Sequence, residues 1–145
     1  MVVLTTNQKG AIAEAAIIHQ AAKLGIPVLR PTTDERYDIV LDLRGRFVRV
    51  QCKWAPLYGE VVIFRCRSCR RAREGLRHRS YSSEEIDAFA AYCADLNRSF
   101  YVPMEIAQNR LAIQLRISPT QNNQRVGVNW ADDFDFAATI DRSGP

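Results

Sequence analysis

Residues 37–54 constrain this chain more than any other stretch: Tyr-Asp-Ile-Val-Leu-Asp-Leu, then Arg44-Gly45-Arg46, then Phe-Val-Arg-Val-Gln-Cys-Lys-Trp. Two runs rich in Val, Ile, Phe and Tyr flank a Gly-containing turn, which predicts a β-hairpin. Side chains alternate along a strand. Asp38, Val40 and Asp42 therefore share one face of the first strand, and Tyr37, Ile39, Leu41 and Leu43 share the other. On the second strand Phe47, Arg49, Gln51 and Lys53 lie opposite Val48, Val50, Cys52 and Trp54. A two-residue turn at Arg44-Gly45 pairs Leu43 with Arg46 and Asp38 with Gln51. A slip of two pairs Asp38 with Lys53 instead. An odd slip would turn one apolar set to the wrong side. In either register a carboxylate, an amide and an ammonium converge at one end of the hairpin.

This convergence has two readings. The first is an exposed sheet face bearing a Lys–Asp pair, which is common and which these residues alone favour. The second is a metal-dependent phosphodiesterase site. Asp38 would hold a hard cation, Gln51 would offer an amide oxygen, and Lys53 would orient or activate a water beside the phosphate. The rest of the chain shifts the weight to the second.

The 145 residues suffice for a single domain, 1–145, with its own core. No apolar run approaches the roughly 20 residues of a membrane span. Met1–Gly10 is short and polar after Leu4, so no secretory signal is read and a cytoplasmic, intracellular protein is expected. Of the four cysteines, Cys66 and Cys69 have metal-ligand spacing, but no second Cys-x-x-Cys accompanies them. A structural zinc site needs about four ligands, so free thiols are expected.

The net charge is +4, and its distribution says more than its size. Between Arg44 and Arg79 eleven basic residues face only Glu60 and Glu74, while the remaining chain has a net charge of −5. Arg46 and Arg49 lie on the hairpin. Residues 65–79 add Arg65, Arg67, Arg70, Arg71, Arg73, Arg77 and Arg79. With little apolar content and an internal Gly75, residues 65–80 read as a mobile basic loop. Concentrated arginine on an otherwise acidic chain marks a polyanion binder, and guanidinium groups suit backbone phosphates. An anionic membrane is disfavoured, because the stretch lacks an apolar helical face.

The other elements come from pattern. Residues 7–24 predict a helix capped by Asn7 and ended by Gly25, with a stripe Glu14, Ile17, Ile18, Ala21, Leu24. Glu14 at the head of that stripe either reaches water or points toward the Asp38 end of the hairpin. Val28–Arg30 reads as a short strand and 31–36 as a polar loop. Val61–Phe64 is a third strand. Ser82-Ser-Glu-Glu85 matches a capping box and predicts a helix to about Leu96, carrying Ile86, Phe89, Ala90 and Cys93 on one side. Phe100–Val102 is a strand closed by Pro103, and 111–117 is a strand or short helix. Ser118–Arg125 is a polar loop. Asp132, Asp133 and Asp135 are read as an exposed cluster rather than a second metal site, and 137–145 as a flexible tail.

Taken in order, these are a helix with Glu14, a strand with Asp38, a strand with Gln51-Cys52-Lys53, a strand, a basic loop, a helix and a strand. The chain resembles the PD-(D/E)xK nuclease superfamily, and within it the small endonucleases associated with group I introns. The resembling residues are Lys9-Gly10 with Glu14, Tyr37–Val40, Val50–Lys53, Tyr81–Tyr92, Phe100–Pro103 and Asn129-Trp130. The resemblance implies an α/β (α+β), restriction-endonuclease-like αβββαβ core, with a central mixed sheet flanked by helices. It implies catalytic roles for Glu14, Asp38, Gln51 and Lys53. It places Glu14, Asp38, Gln51 and Cys52 about a Mg²⁺ ion or another divalent cation such as Mn²⁺. Gln51 stands where the motif usually has Asp or Glu, so the site lacks one formal charge and leans more on Glu14.

The function so implied is metal-dependent hydrolysis of double-stranded DNA by a homing-type endonuclease. A dimer or tetramer is expected, since one domain this small covers little DNA. The alternatives are a Holliday-junction resolvase and a non-catalytic DNA-binding accessory protein, the latter kept in play by Gln51.

Overall fold

Helix α1 (Thr6–Lys23) is capped by Thr5 rather than by Asn7. Thr5 Oγ1 accepts from the Gln8 N–H at 3.2 Å and Gln8 Oε1 accepts from the Thr5 N–H at 2.8 Å, a reciprocal cap that satisfies two orphan donors. Ala13, Ile17 and Ala21 form its buried face, while Glu14 sits half-exposed at the edge of it. Gly25, at φ +75°, takes the left-handed conformation that ends the helix. The structure is a computed structural model that describes residues 2–119, 122 and 127–142.

After the short β1 (Val28–Leu29), strands β2 (Ile39–Asp42) and β3 (Phe47–Trp54) form the central hairpin. Arg44 and Gly45 both have positive φ, at 45° and 95°, which gives the tight turn the twist a two-residue hairpin requires. Ile39 pairs with Val50, and the Leu43 N–H donates to the Arg46 carbonyl at 2.9 Å. The register is therefore the one that sets Asp38 beside Gln51. Ile39, Leu41, Leu43, Val48, Val50 and Cys52 are buried on the expected face. Tyr37 departs from it: the residue precedes β2 and packs against the core on the other side of the sheet.

β4 (Leu57–Tyr58) and β5 (Val61–Arg65) come next, then β6 (Arg67–Ala72) and β7 (Gly75–Ser80). The basic segment is thus not a loop but a hairpin, paired from Arg67↔Ser80 to Ala72↔Gly75. Gly75, at φ +109°, permits its turn. The β-ladder satisfies the backbone N–H and C=O groups of a segment that has little apolar content to pack.

The helix expected over 82–96 is a correction. Half of the Ser82–Glu85 box forms: the Ser82 N–H donates to Glu85 Oε1 at 3.2 Å, while the Glu85 and Ile86 N–H groups both donate to the Ser82 carbonyl rather than to its hydroxyl. It closes only a turn. Ala88–Cys93 is instead strand β8, parallel to β3 and antiparallel to β9 (Arg98–Pro103). Its side chains are buried on both faces, so it reads as an unbroken apolar run in which strand and helix periods are indistinguishable. Capture between two strands overrides the Ala-rich helix propensity.

The central mixed sheet has the order β1-β2-β3-β8-β9. After α2 (Met104–Ala107), residues 112–116 form strand β10 (Ala112–Arg116), which joins β5 and β4 in a second sheet of order β10-β5-β4. The third predicted strand therefore lies in this second sheet and not beside β3. Helix α3 (Phe136–Arg142) closes the described chain. It corrects the tail expected from 137, because Phe136 and Ile140 are buried against the main sheet. Residues 143–145 and most of the 118–125 loop lie outside the described residues. Ile17 and Ala21 of α1 share a core with Leu41, Val50 and Ala90 on one face. Val62, Phe64, Ile113 and Leu115 of the second sheet cover Phe89, Ala91, Phe100 and Val102 on the other. Among the described residues no helix is long and apolar enough to cross a membrane.

Arg49 ties β3 to the turn before β8. Its Nε and Nη2 donate to Asp87 Oδ2 and Oδ1, each at 3.1 Å, and its backbone N–H donates to Oδ2 at 2.8 Å. Burial alone would raise the Asp87 carboxyl, but these bonds and the guanidinium charge hold it below the ordinary value. The stability it confers is full above the unfolded carboxylate pKa and lost as pH falls through the depressed folded value. Asp87→Asn is accordingly expected to weaken the fold at neutral pH and to flatten the acid limb of a stability-versus-pH curve followed by urea unfolding.

Candidate active site

The backbone register delivers Asp38 to the site. Its N–H donates to the Val50 carbonyl at 2.9 Å, and its Oδ2 accepts from the Cys52 N–H at 2.9 Å. The carboxylate is thereby pinned across the strand pair. Burial raises its pKa, as does the charge of Glu14, while the Cys52 N–H, Lys53 and Arg30 oppose that rise. Glu14 reaches the same neighbourhood from α1 and pairs with Arg30, Nη1 to Oε1, at 3.3 Å. Glu14 is thus near enough to Asp38 for its charge to be felt there, while its carboxylate pairs with Arg30.

Lys53 lies on the opposite side-chain row of β3 from Cys52 and is half-buried. Its Nζ donates to the Arg67 carbonyl at 3.2 Å and stands 5.2 Å from the centroid of the Tyr81 ring. Burial lowers its pKa, as does Arg36, while Cys66 and Asp38 act to raise it. Gln51 precedes it on the same row, paired across the ladder with Phe89. Cys52 contributes its backbone N–H; its thiol packs in the core, and burial drives its pKa well above the ordinary value. As a thiolate ligand it does not fit.

The donor set is nonetheless suited to a hard divalent cation. Two carboxylates, Asp38 and Glu14, repel each other at partly buried positions, a tension that positive charge between them relieves. With the Gln51 amide the donors are all oxygen, the preference of Mg²⁺ and Mn²⁺. Among the described residues no group of three His, Cys, Asp or Glu side chains is placed to hold a metal, so a third side-chain donor would have to be an amide, and Gln51 is the one on the Lys53 row. Asp132 and Asp135 are engaged elsewhere, pairing with Arg98 at 2.9 and 3.1 Å.

The basic residues divide. Arg65, Arg73, Arg77 and Arg79 are exposed, Arg77 pairing with Glu74 and Arg79 with Glu85. Arg67 is half-buried at the root of the hairpin. Arg70 and Arg71 lie on β6, with side chains outside the described residues. Arg49 is consumed by Asp87 and by the Ser83 and Glu84 carbonyls, so it acts as a staple and has few donors left for a phosphate. Arg46 borders a cavity of about 410 Å³ with Phe47, Tyr101 and Glu105, at the end of β3 away from Lys53. Cys52, Cys66 and Cys93 are buried and form no disulfide.

A family model described as PD-(D/E)XK endonuclease matches residues 4–137. The chain belongs to the PD-(D/E)XK endonuclease family. The fold is similar to that of a bacterial homing endonuclease, I-Ssp6803I, with a TM-score of 0.75 at 22% identity over 97% of this chain and 96% of that one. A comparison with curated proteins finds no match.

Three neighbours of Asp38 and Lys53 were not singled out by the sequence reading as site residues: Arg30, Arg36 and Tyr81. Arg36 sits in the polar loop before Tyr37, and its guanidinium carbon lies 3.9 Å from the Tyr81 ring centroid. Its place in a loop feeding a site-bearing strand was the only signal available.

Proposed function

We propose that the protein is a metal-dependent DNA endonuclease of the homing type, acting as a dimer or tetramer on double-stranded DNA within the cell. The observation that carries this is one juxtaposition: Asp38, held by the Cys52 N–H, within electrostatic reach of both Glu14 and Lys53, with the arginine hairpin rooted on the Lys53 ammonium. Asp38 is held in place by the Cys52 N–H, so it meets a ligand without reorganising. Lys53 carries its charge where negative charge grows as the phosphodiester is attacked. Gln51 offers its amide oxygen from the same strand row. A divalent cation bound by Asp38, Glu14 and Gln51 would polarise the phosphate and acidify a water. The exposed arginines hold the duplex by its backbone, which positions it without reading its sequence.

The test is cleavage of mixed duplex DNA and of a four-way junction, with Mg²⁺ and with EDTA. Cutting that EDTA stops supports the reading, and preference for the junction would favour a resolvase. Gln51 favours a second reading, a DNA-binding accessory protein without catalysis, which predicts salt-sensitive binding and no cutting.

Replacing Arg65, Arg73 and Arg77 by Gln is expected to weaken DNA binding. The slope of log affinity against log salt should flatten by roughly one per lost phosphate contact. An unchanged slope would return these arginines to a solvated surface. Gln51→Glu restores the missing carboxylate and is expected to lower the Mg²⁺ concentration for half-maximal cleavage.

A further inference from the structure

The Lys53 ammonium is not held by Asp38 but by two groups at the root of the basic hairpin. It donates to the Arg67 carbonyl and stands over the Tyr81 ring. That ring is itself fixed: it is 9% exposed and meets Phe89 edge-on at 5.4 Å. A second cation, Arg36, lies over the same ring. Arg36 Nη1 donates to Ser68 Oγ at 2.9 Å, and Nη2 donates to the Ser80 and Arg79 carbonyls at 3.0 and 3.4 Å. Its Nε lies 3.1 Å from Glu85 Oε2, the carboxylate that also takes Arg79. Arg67 pairs with Ser80 and Ser68 with Arg79 in the ladder, so the two cations grip both strands of the hairpin at its root. One ring lies at the centre of both grips.

We propose that Tyr81 and Arg36 are positioning residues for Lys53, locking the ammonium to the root of the basic hairpin so that a duplex held by the hairpin sets where that charge stands. A lysine stem is flexible, and a single hydrogen bond leaves it free to roam. The ring adds a second, face-directed attraction, and cations favour aromatic faces at this range. Arg36 keeps ring and hairpin from moving apart. The use of the ammonium in strand cleavage rests on the proposed nuclease activity; the clamp itself is readable without cleavage.

The experiment is trace reductive methylation of the full chain, quantified by mass spectrometry. The sequence has only three lysines, Lys9, Lys23 and Lys53, and exposed Lys23 serves as the internal reference. Relative to Lys23, Lys53 is expected to react several-fold faster in Tyr81→Leu than in wild type, and at the wild-type ratio in Tyr81→Phe. Arg36→Gln is expected to loosen it as well, and it gives the answer should Tyr81→Leu fail to fold. A wild-type ratio in both Arg36→Gln and a folded Tyr81→Leu would overturn the clamp. On a cleaved duplex, Tyr81→Leu is expected to lower the single-turnover rate at saturating DNA by about tenfold with Kd unchanged, the signature of misplacement rather than lost binding. Tyr81→Phe is expected to restore the rate, and equal rates in all three proteins would overturn the positioning role. If wild type cuts no DNA, the nuclease reading fails while the methylation ratios still decide the clamp.

Discussion

Lys53→Ala and Asp38→Asn are each expected to abolish detectable strand cleavage while keeping the fold and most of the affinity for DNA. Loss of a preorganised group that stabilises developing charge costs about 10²- to 10³-fold in rate. Structurally both changes are mild. Asp38→Asn keeps an oxygen to accept the Cys52 N–H, so the strand pair stays pinned. Lys53→Ala gives up one hydrogen bond to the Arg67 carbonyl and one ring contact. The exposed arginines that would hold DNA are untouched in either variant. Single-turnover cleavage alongside filter binding separates the two quantities. Undiminished cutting by either variant would remove the proposed site; lost binding with intact cutting at saturation would recast the residue as a DNA contact.

Phe89→Ala is expected to cost about 3–5 kcal/mol of stability, the range for deleting a fully buried aromatic ring. Phe89 is 0% exposed and packs against Phe64 at 5.5 Å and Tyr81 at 5.4 Å between ring centroids. A domain has only about 5–15 kcal/mol in total, so this single change consumes a large share of it. The ring also backs Tyr81, so the loss should reach the site as well as the core. Urea unfolding gives the measurement, as a fall in midpoint. A cost under about 1 kcal/mol, the level of a surface change, would mean that β8 does not bury this ring.

The central hairpin and its site were legible because strand alternation is a strict code. The period alone placed Asp38, Gln51 and Lys53 relative to one another up to a slip of two, and the two-residue turn seen at Arg44-Gly45 chooses between the registers. Glu14 was legible as an acid out of place on an apolar stripe. The failure at 82–96 has the opposite cause. Glu85 reaches back to the Ser82 N–H locally, as half of the motif says, but the conformation of residues 88–93 is decided by β3 and β9, which flank them in the sheet. Ile86, Phe89 and Cys93 fit a helical stripe and a doubly buried strand equally well. Arg49 shows the same limit among charges: composition marks it as a phosphate ligand, and only Asp87, 38 residues on, shows that it is occupied. Arg36 and Tyr81 lay beyond reach because their partners converge from three separate segments.

The hairpin of β6 and β7 enters and leaves the body at one point, since its first and last paired residues, Arg67 and Ser80, are opposite each other. It forms a two-stranded sheet of its own and shares no ladder with either of the others. Lengthening, shortening or exchanging it would leave the register of the main sheet unchanged. The constraint falls instead on its root, where Arg67, Ser68, Arg79 and Ser80 hold Lys53 and Arg36, so the tip about Gly75 is the part of the hairpin that can change length at least cost to the body.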